Sequence, residues 1–481
     1  MMGKIKELLA AVFREKKTKI DLVIILLTVT LILINIIFPT IENRYSLATD
    51  ITRNRIYSLS ETSNQILAKL EENVYVYSIC TPGQEDTRLQ ELLKEYSSMS
   101  SHLVVRDNIY SLSAMPADFT YPKNSSNAIM ITNSDGTYSR TFTYEDMYIY
   151  DEDGNKTSFV AENKITAAIQ GVAQKNFVNI RFLSGHGETG INDIDTFISM
   201  LDLKNYIIST YDFSTTNIKL NPKTDVLIIV SPKADLEQNE YDSIRDYMSN
   251  GGSILALIDR TSFNTKQGVL QKYASQLPLF QQLFENYSMQ VNNDVIVSDS
   301  NDATGMRKTV LNAVVVRQNE ENEIERNVIL NEASSIDILD RSGTVRELLV
   351  SGDGCNAYTV DDNIEQNIAK LGSGKESYLV GAVSTLKESR IILITDSTCI
   401  GDDILQINGN YSFFNDVINE LVPANQPVYL GGRPLDNINV KNRTKTINKI
   451  FSYIVLLLII AVPLWLIYCG FRGDSRRKSK R

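Results

Sequence analysis

The chain has 481 residues, 43% hydrophobic and 22% charged, with a formal net charge of −10 at neutral pH. That length allows two or three domains with sizeable cores, and the composition excludes extended disorder. The acidic balance speaks against nucleic acid as a partner.

Residues 1–20 form a basic leader, with Lys4, Lys6, Arg14, Lys16, Lys17 and Lys19 against Glu7 and Glu15. An almost unbroken apolar run follows from Leu22 to Phe38 and stops at Pro39. It is close to the minimum of about 17 residues that cross a bilayer. No small-x-small cleavage site follows it, so an uncleaved transmembrane helix over 21–39 is expected rather than a signal peptide.

After the anchor, a domain over 41–175 is predicted. Ser60 is placed to cap a helix whose Ile66, Leu67 and Leu70 share a face. Val74 to Ile79 alternates as a strand, Asp86 to Tyr96 has helical spacing, and Leu103 to Arg106 gives the next strand, a βαβ beginning. Ala128 to Ile149 alternates with Asn133-Ser-Asp-Gly136 as a hairpin turn, and Phe159 to Gln174 is helical.

The second expected domain, 176–425, opens on Asn179-Ile-Arg-Phe-Leu183-Ser-Gly185-His186-Gly187-Glu188-Thr-Gly-Ile191. This is a strand running into a turn whose glycines can take positive φ, followed by the apolar spacing of a helix from Asn192 to Leu203. Tyr206–Tyr211, Val226–Val230 and Ser253–Ile258 continue as strands, with a helix over Asn239–Ser249 closed by Gly251-Gly252. A fully apolar strand after such a stop indicates a parallel sheet, so the strands at Val178, Val226 and Ser253 should lie parallel and near one another. Residues 265–375 read as an irregular insertion, after which Tyr378–Ser384 and Arg390–Thr395 rejoin the sheet with a helix from Ser412 to Leu421 behind them. A polar connector, 426–448, leads to a second apolar run over 450–471, with Tyr453, Trp465 and Tyr468 placed as interfacial aromatics. Its Pro463 is tolerable in a membrane helix.

The tail, 472–481, is basic again, with Arg472, Arg476, Arg477, Lys478, Lys480 and Arg481 against Asp474. Both termini are therefore expected to be cytoplasmic and the segment between the spans extracytoplasmic. Taking the +4 and +5 of the two ends from the total leaves about −19 on that segment.

Chemistry is thinly supplied. Gly372-Ser-Gly374-Lys375 fails as a phosphate loop, because the spacing needs glycine where Ala369 stands and Ser or Thr where Glu376 stands. Cys80 and Cys399 lack the flanking glycines of a nucleophile elbow, and one usable histidine beside scattered carboxylates gives no zinc spacing. No cofactor, metal site or catalytic residue is expected. With Cys469 in the second apolar run, Cys80, Cys355 and Cys399 leave an odd set without CxxC spacing.

The candidates for a ligand or partner contact are His186, Glu188, Asp259, Asp396 and Ser397. Each follows a predicted strand, where open α/β sheets bind ligands. The alternative for Gly185 to Glu188 is a tight turn whose polar side chains satisfy buried backbone groups. For Asp396-Ser397 it is a helix cap or a sheet-edge turn.

Several segments together resemble one family. They are Asp50-x-Thr52 with Arg55-x-Tyr57-Ser-Leu-Ser60-x-Thr62; Glu162-Asn-Lys-Ile-Thr166-Ala-Ala-Ile169; Leu183-Ser-Gly-His-Gly-Glu188; Asp225 to Leu236 with Glu240 and Gly251-Gly252; and Asp396-Ser397 with Gly409-Asn410, Phe413 and Pro423. The combination is similar to the Gldg-type family, extracytoplasmic auxiliary components of ABC-2-type transporters related to the gliding-motility transporter subunit. The resemblance implies a doubly wound, mostly parallel α/β sheet like that of glutamine amidotransferases without their catalytic cysteine, beside a smaller N-terminal α/β domain. It implies a two-pass protein of the bacterial plasma membrane, acting with a separate ABC-2-type permease and a cytoplasmic ATPase and open to an envelope ligand. The alternatives are an envelope scaffold and a degenerate amidotransferase-like hydrolase that would use His186 and Glu188 as base and orienter.

Overall fold

The computed structural model describes residues 54–435 apart from 111–126, 217, 265–268, 273–276, 299–307, 317–326, 341–343, 362–375, 408 and 424–425. Both expected spans, the basic leader, the basic tail and most of the Gly372 loop lie outside the described residues. Among the described residues, no helix is long and apolar enough to cross a membrane.

The first unit begins with helix α1 (Glu61–Ala68), whose cap residue Ser60 accepts from the Ser63 amide. Strand β1 (Val74–Ile79), helix α2 (Thr87–Met99) and strand β2 (Leu103–Ile109) make the predicted βαβ start, since β1 and β2 pair in parallel with Val74 opposite Leu103. Asp86 caps α2 by accepting from the Arg88 and Leu89 amides. Strands β3 (Ala128–Asn133) and β4 (Ser139–Thr143) form the expected hairpin, completing a four-stranded sheet in the order β2-β1-β3-β4. A second hairpin of β5 (Tyr148–Tyr150) and β6 (Lys156–Phe159) leads into α3 (Ala161–Gln174). Leu67 of α1, Leu89 and Tyr96 of α2 and Ile165 and Ile169 of α3 pack against Val74, Val76, Ile129 and Ile131, so the three helices share one core with the sheet.

The second unit runs β7 (Asn179–Leu183), α4 (Asp195–Leu203), β8 (Ile207–Tyr211), β9 (Asp225–Val230), α5 (Gln238–Ser249) and β10 (Ser253–Leu257). Strands β11 (Thr261–Asn264) and β12 (Val269–Lys272) form a hairpin, followed by α6 (Pro278–Glu285), β13 (Met289–Val291) and β14 (Asp294–Ser298). Then come β15 (Val310–Val315), β16 (Asn327–Asn331), β17 (Ile336–Ile338), β18 (Val345–Val350) and β19 (Cys355–Thr359). Strands β20 (Leu379–Leu386) and β21 (Ser389–Ile394), helices α7 (Asp402–Leu405) and α8 (Asn410–Leu421), and the short β22 (Arg433–Pro434) complete the described chain.

Nine of these strands make one sheet in the order β16-β15-β18-β20-β21-β10-β9-β7-β8. Its β8-β7-β9-β10-β21 half is parallel throughout, as expected for the strands at Val178, Val226 and Ser253. The other half, from β21 through β20, β18 and β15 to β16, is antiparallel, so the sheet is mixed rather than mostly parallel. The span read as an irregular insertion supplies three of those antiparallel strands and α6. Helices cover both faces. On one face α4 and α8 bury Phe197, Leu201, Phe414 and Ile418 against Ile180, Ile228 and Leu255. On the other, α5 and α6 bury Ile244, Tyr247, Phe280 and Phe284 against Leu227, Ile229 and Ile254. Every residue of β9 is buried, which accounts for its unbroken apolar run.

Gly252 is required where α5 meets β10. A Cβ there would stand 2.4 Å from the Tyr247 ring, which is fixed by its hydroxyl on the Asp225 and Ser253 carbonyls at 2.7 and 3.0 Å.

Candidate functional site

The parallel strands β8-β7-β9-β10-β21 run in the chain order 2-1-3-4-5, so the order reverses between β7 and β9. Ligands of doubly wound sheets bind in the crevice outside the carboxyl ends at that reversal. In this chain the loops after β7 and β9 are joined there. The Lys233 and Ala234 amides donate to the His186 carbonyl at 2.8 and 2.9 Å, and the Thr189 amide donates to the Val230 carbonyl at 3.0 Å. The β7 loop turns through Gly185 (φ +118°) and Gly187 (φ +76°), and a Cβ on Gly187 would come within 3.1 Å of Lys233 Cβ. Glycine is therefore needed twice, for conformation and for close approach.

Between those glycines, His186 is 7% exposed. Its Nδ1 lies 3.0 Å from Glu188 Oε1 and its Nε2 lies 2.8 Å from Glu240 Oε2, while its amide donates to Glu188 Oε2 at 2.8 Å. Glu240 also accepts from the Glu237 amide at 2.7 Å, closing a capping box at the start of α5. The hydrogen bond that the ring donates to Glu188, joined by the one to Glu240, outweighs burial and raises the imidazole from its ordinary 6.5 to about 9. Burial pushes the Glu188 carboxyl up, but its bonds to the His186 ring and amide hold it below its usual range. The result is an imidazolium between two carboxylates, with both ring nitrogens donating. Neither nitrogen is left to accept a proton or to ligate a metal.

A second cluster lies one to three strands along the same edge. Ser231 directly follows β9 in the left-handed region (φ +51°), at 1% exposure. Its hydroxyl donates to Asp259 Oδ2 and accepts from Lys233 Nζ. Asp259, after β10, accepts from the Ser397 amide (2.7 Å, Oδ1) and hydroxyl (2.6 Å, Oδ2), where Ser397 follows β21. One carboxylate thus ties the ends of three adjacent strands. A serine beside a lysine is an arrangement that some hydrolases use. Here the hydroxyl is turned onto Asp259, and the side chain offers almost no surface to a substrate.

Asp396 points elsewhere. It accepts from the Asn331 amide at 2.9 Å and from the Thr398 amide and hydroxyl at 2.8 and 2.9 Å. Burial, and after it the nearby Asp259 carboxylate, raise its carboxyl well above the ordinary range. Asn410 works on the same strand, pairing with the Ile329 amide and carbonyl at 2.8 and 2.9 Å. Together Asp396 and Asn410 occupy the open edge of β16, which would otherwise present unpaired amides and carbonyls.

The five sequence candidates are therefore not one constellation: His186 and Glu188 make one, Asp259 and Ser397 a second, and Asp396 serves the β16 edge. Sequence reasoning missed Glu240, Ser231 and Lys233 as members. The readable signals were the Glu237 to Glu240 capping-box spacing and the polar Ser-Pro-Lys directly after an apolar strand. Among the described residues no group of histidine, cysteine, aspartate or glutamate is arranged to hold a metal ion.

A sequence model of the family described as ABC-type uncharacterized transport system matches residues 178–419. No curated protein matches significantly. Among solved structures, the mmIFT52 N-terminal domain is similar at 13% identity and a TM-score of 0.37, covering 50% of this chain and 96% of that one. The cytoplasmic protein STM3548 from Salmonella typhimurium follows at 11% identity, TM-score 0.29, covering 51% and 100%. A glutamine amidotransferase from Thermotoga maritima is similar at 9% identity, TM-score 0.28, covering 51% and 85%. Likenesses at these scores carry no functional weight.

Proposed function

The chain belongs to the ABC-type uncharacterized transport system family, and on that premise we propose that it is a non-catalytic, membrane-anchored extracytoplasmic auxiliary subunit of the Gldg type. Membership makes it an auxiliary component of an ABC-type transport system, whose general partners are a permease and an ATPase. The proposal adds the anchors, 21–39 and 450–471, the cytoplasmic basic ends, and the absence of catalysis.

One observation carries the non-catalytic reading: both nitrogens of the histidine at the switch point are committed to Glu188 and Glu240. The loops that flank the crevice where a substrate would bind are hydrogen-bonded to each other, which supports this reading. The pinned edge offers a firm surface to a partner protein through its exposed rim, where Lys233 and Glu237 lie. Two spans cannot form a transport path, so the subunit must act through the permease.

Anchoring is tested by cysteine labelling of intact cells with a membrane-impermeant reagent. A cysteine introduced at exposed Asp151 is expected to label at once, and one at Lys478 only after the membrane is opened. Labelling of position 478 in intact cells, with protection of 151, would overturn the topology.

A further inference from the structure

The first turn of α3 is an unusual stretch of helix, because Glu162, Asn163 and Lys164 are consecutive, polar and buried, at 6%, 0% and 3% exposure. Successive helical residues point about 100° apart, so three polar neighbours on a helix address three different surroundings. Glu162 faces the membrane-side ends of the described chain. Its Oε1 accepts from the Ser60 amide at 2.5 Å and the Ser63 hydroxyl at 2.8 Å, and its Oε2 pairs with the Arg433 guanidinium. Beside that pair the Asn54 side chain donates to the Pro434 carbonyl at 2.6 Å. Residues 54–63 and 430–435, which lead toward the two apolar runs, are therefore held together through Glu162 and the Asn54 bond, with β22 also paired to β6.

Asn163 and Lys164 face the large sheet. Asn163 donates to the Leu203 carbonyl at 2.8 Å and accepts from the Leu430 amide at 2.8 Å and the Asn205 side chain at 3.2 Å. Lys164 Nζ lies 2.6 Å from Asp202 at the end of α4. Farther along the same seam Arg140 Nη2 donates to the Tyr206 carbonyl at 3.0 Å, while Arg140 Nη1, Asn176 Oδ1 and Asn205 Oδ1 are buried without a hydrogen-bond partner. Three of the polar contacts between the units, those to Leu203, Asn205 and Asp202, come from one turn of one helix.

We propose that this turn is a mechanical joint: it clamps the two membrane-side ends to each other through Glu162 and to the nine-stranded sheet through Asn163 and Lys164. A shift of α4 or of the sheet on partner binding is then delivered to both ends as a unit. This rests on the anchored reading only for the direction of delivery; the clamp itself is a property of the folded chain.

The test is amide hydrogen exchange on the full chain in lipid nanodiscs. Glu162→Gln removes the charge that Arg433 pairs with. It should raise exchange about tenfold in residues 58–64 and 428–435 together, while β9 and β10 keep their protection. Arg433→Ala, on a partly exposed strand end and safer for folding, should do the same. Asn163→Ala should release 203–206 and 428–430 and leave 58–64 protected. Loss of protection at one end alone, loss confined to α3, or an even loss that includes β9 and β10 would overturn the joint. Failure of the anchored reading would show instead in the cysteine labelling, which these substitutions do not enter.

Discussion

Asp259→Ala is expected to cost about 3–5 kcal/mol in chemical denaturation, the scale for breaking a buried polar network by removing one partner. The carboxylate receives the Ser397 amide and hydroxyl and the Ser231 hydroxyl, and through Ser231 it reaches Lys233. Its removal takes the acceptor from the buried Ser397 amide and hydroxyl and leaves the Ser231 hydroxyl with Lys233 alone. Asp259→Asn keeps the shape and one acceptor, so it should cost less than the alanine. Ser397→Ala, which removes one hydroxyl and spares the amide bond, should cost only about 1 kcal/mol. Equal losses for Asp259→Ala and Ser397→Ala would mean that the carboxylate does not organise the edge.

His186→Ala is expected to cost about 3 kcal/mol near neutral pH, because it strands Glu188 and Glu240, whose side chains are 3% and 12% exposed. The pH dependence identifies the mechanism. The folded state holds the imidazolium proton up to about pH 9, whereas the unfolded chain releases it near 6.5. The stabilisation is therefore complete below about 6.5 and is lost as pH rises through about 9. Glu188, held below its usual range, contributes above its ordinary 4.5 and loses that contribution as pH falls through its lowered folded value. Melting temperatures should hold between about 4.5 and 6.5 and fall toward 9. In His186→Gln the fall between 6.5 and 9 should disappear. A parent protein whose melting temperature rises over that interval would show that the histidine is neutral in the fold.

The parallel half of the large sheet was legible where a short strand alternates with a crossover helix, as in β7-α4-β8 and β9-α5-β10. Asp225–Val230 and Ser253–Leu257, with Gly251-Gly252 between α5 and β10, are the clearest cases. Strand β20 was legible as rejoining the sheet, but β15, β16 and β18 were not, because β18 pairs with β20 across a long intervening segment and alternation alone names no partner. Helix α6 did leave a sign: Pro278 in the first turn and Phe280, Leu283 and Phe284 at helical spacing, all three buried. At the site, Glu188 stands two residues from His186 and could be paired with it by eye. Glu240 is 54 residues away and Ser397 is 138 from Asp259, so only the fold brings them in. Asp396 and Asn410 both serve the β16 edge, and nothing local in the sequence says so.

The central claim, that this subunit works through a permease and an ATPase, is tested most directly by purifying the full chain from its native membranes in mild detergent after crosslinking. The account predicts that a multi-helix permease and a nucleotide-binding ATPase come with it, and that a chain lacking residues 450–471 retains less of both. Recovery of the chain alone, or with cell-wall enzymes only, in repeated preparations would contradict it.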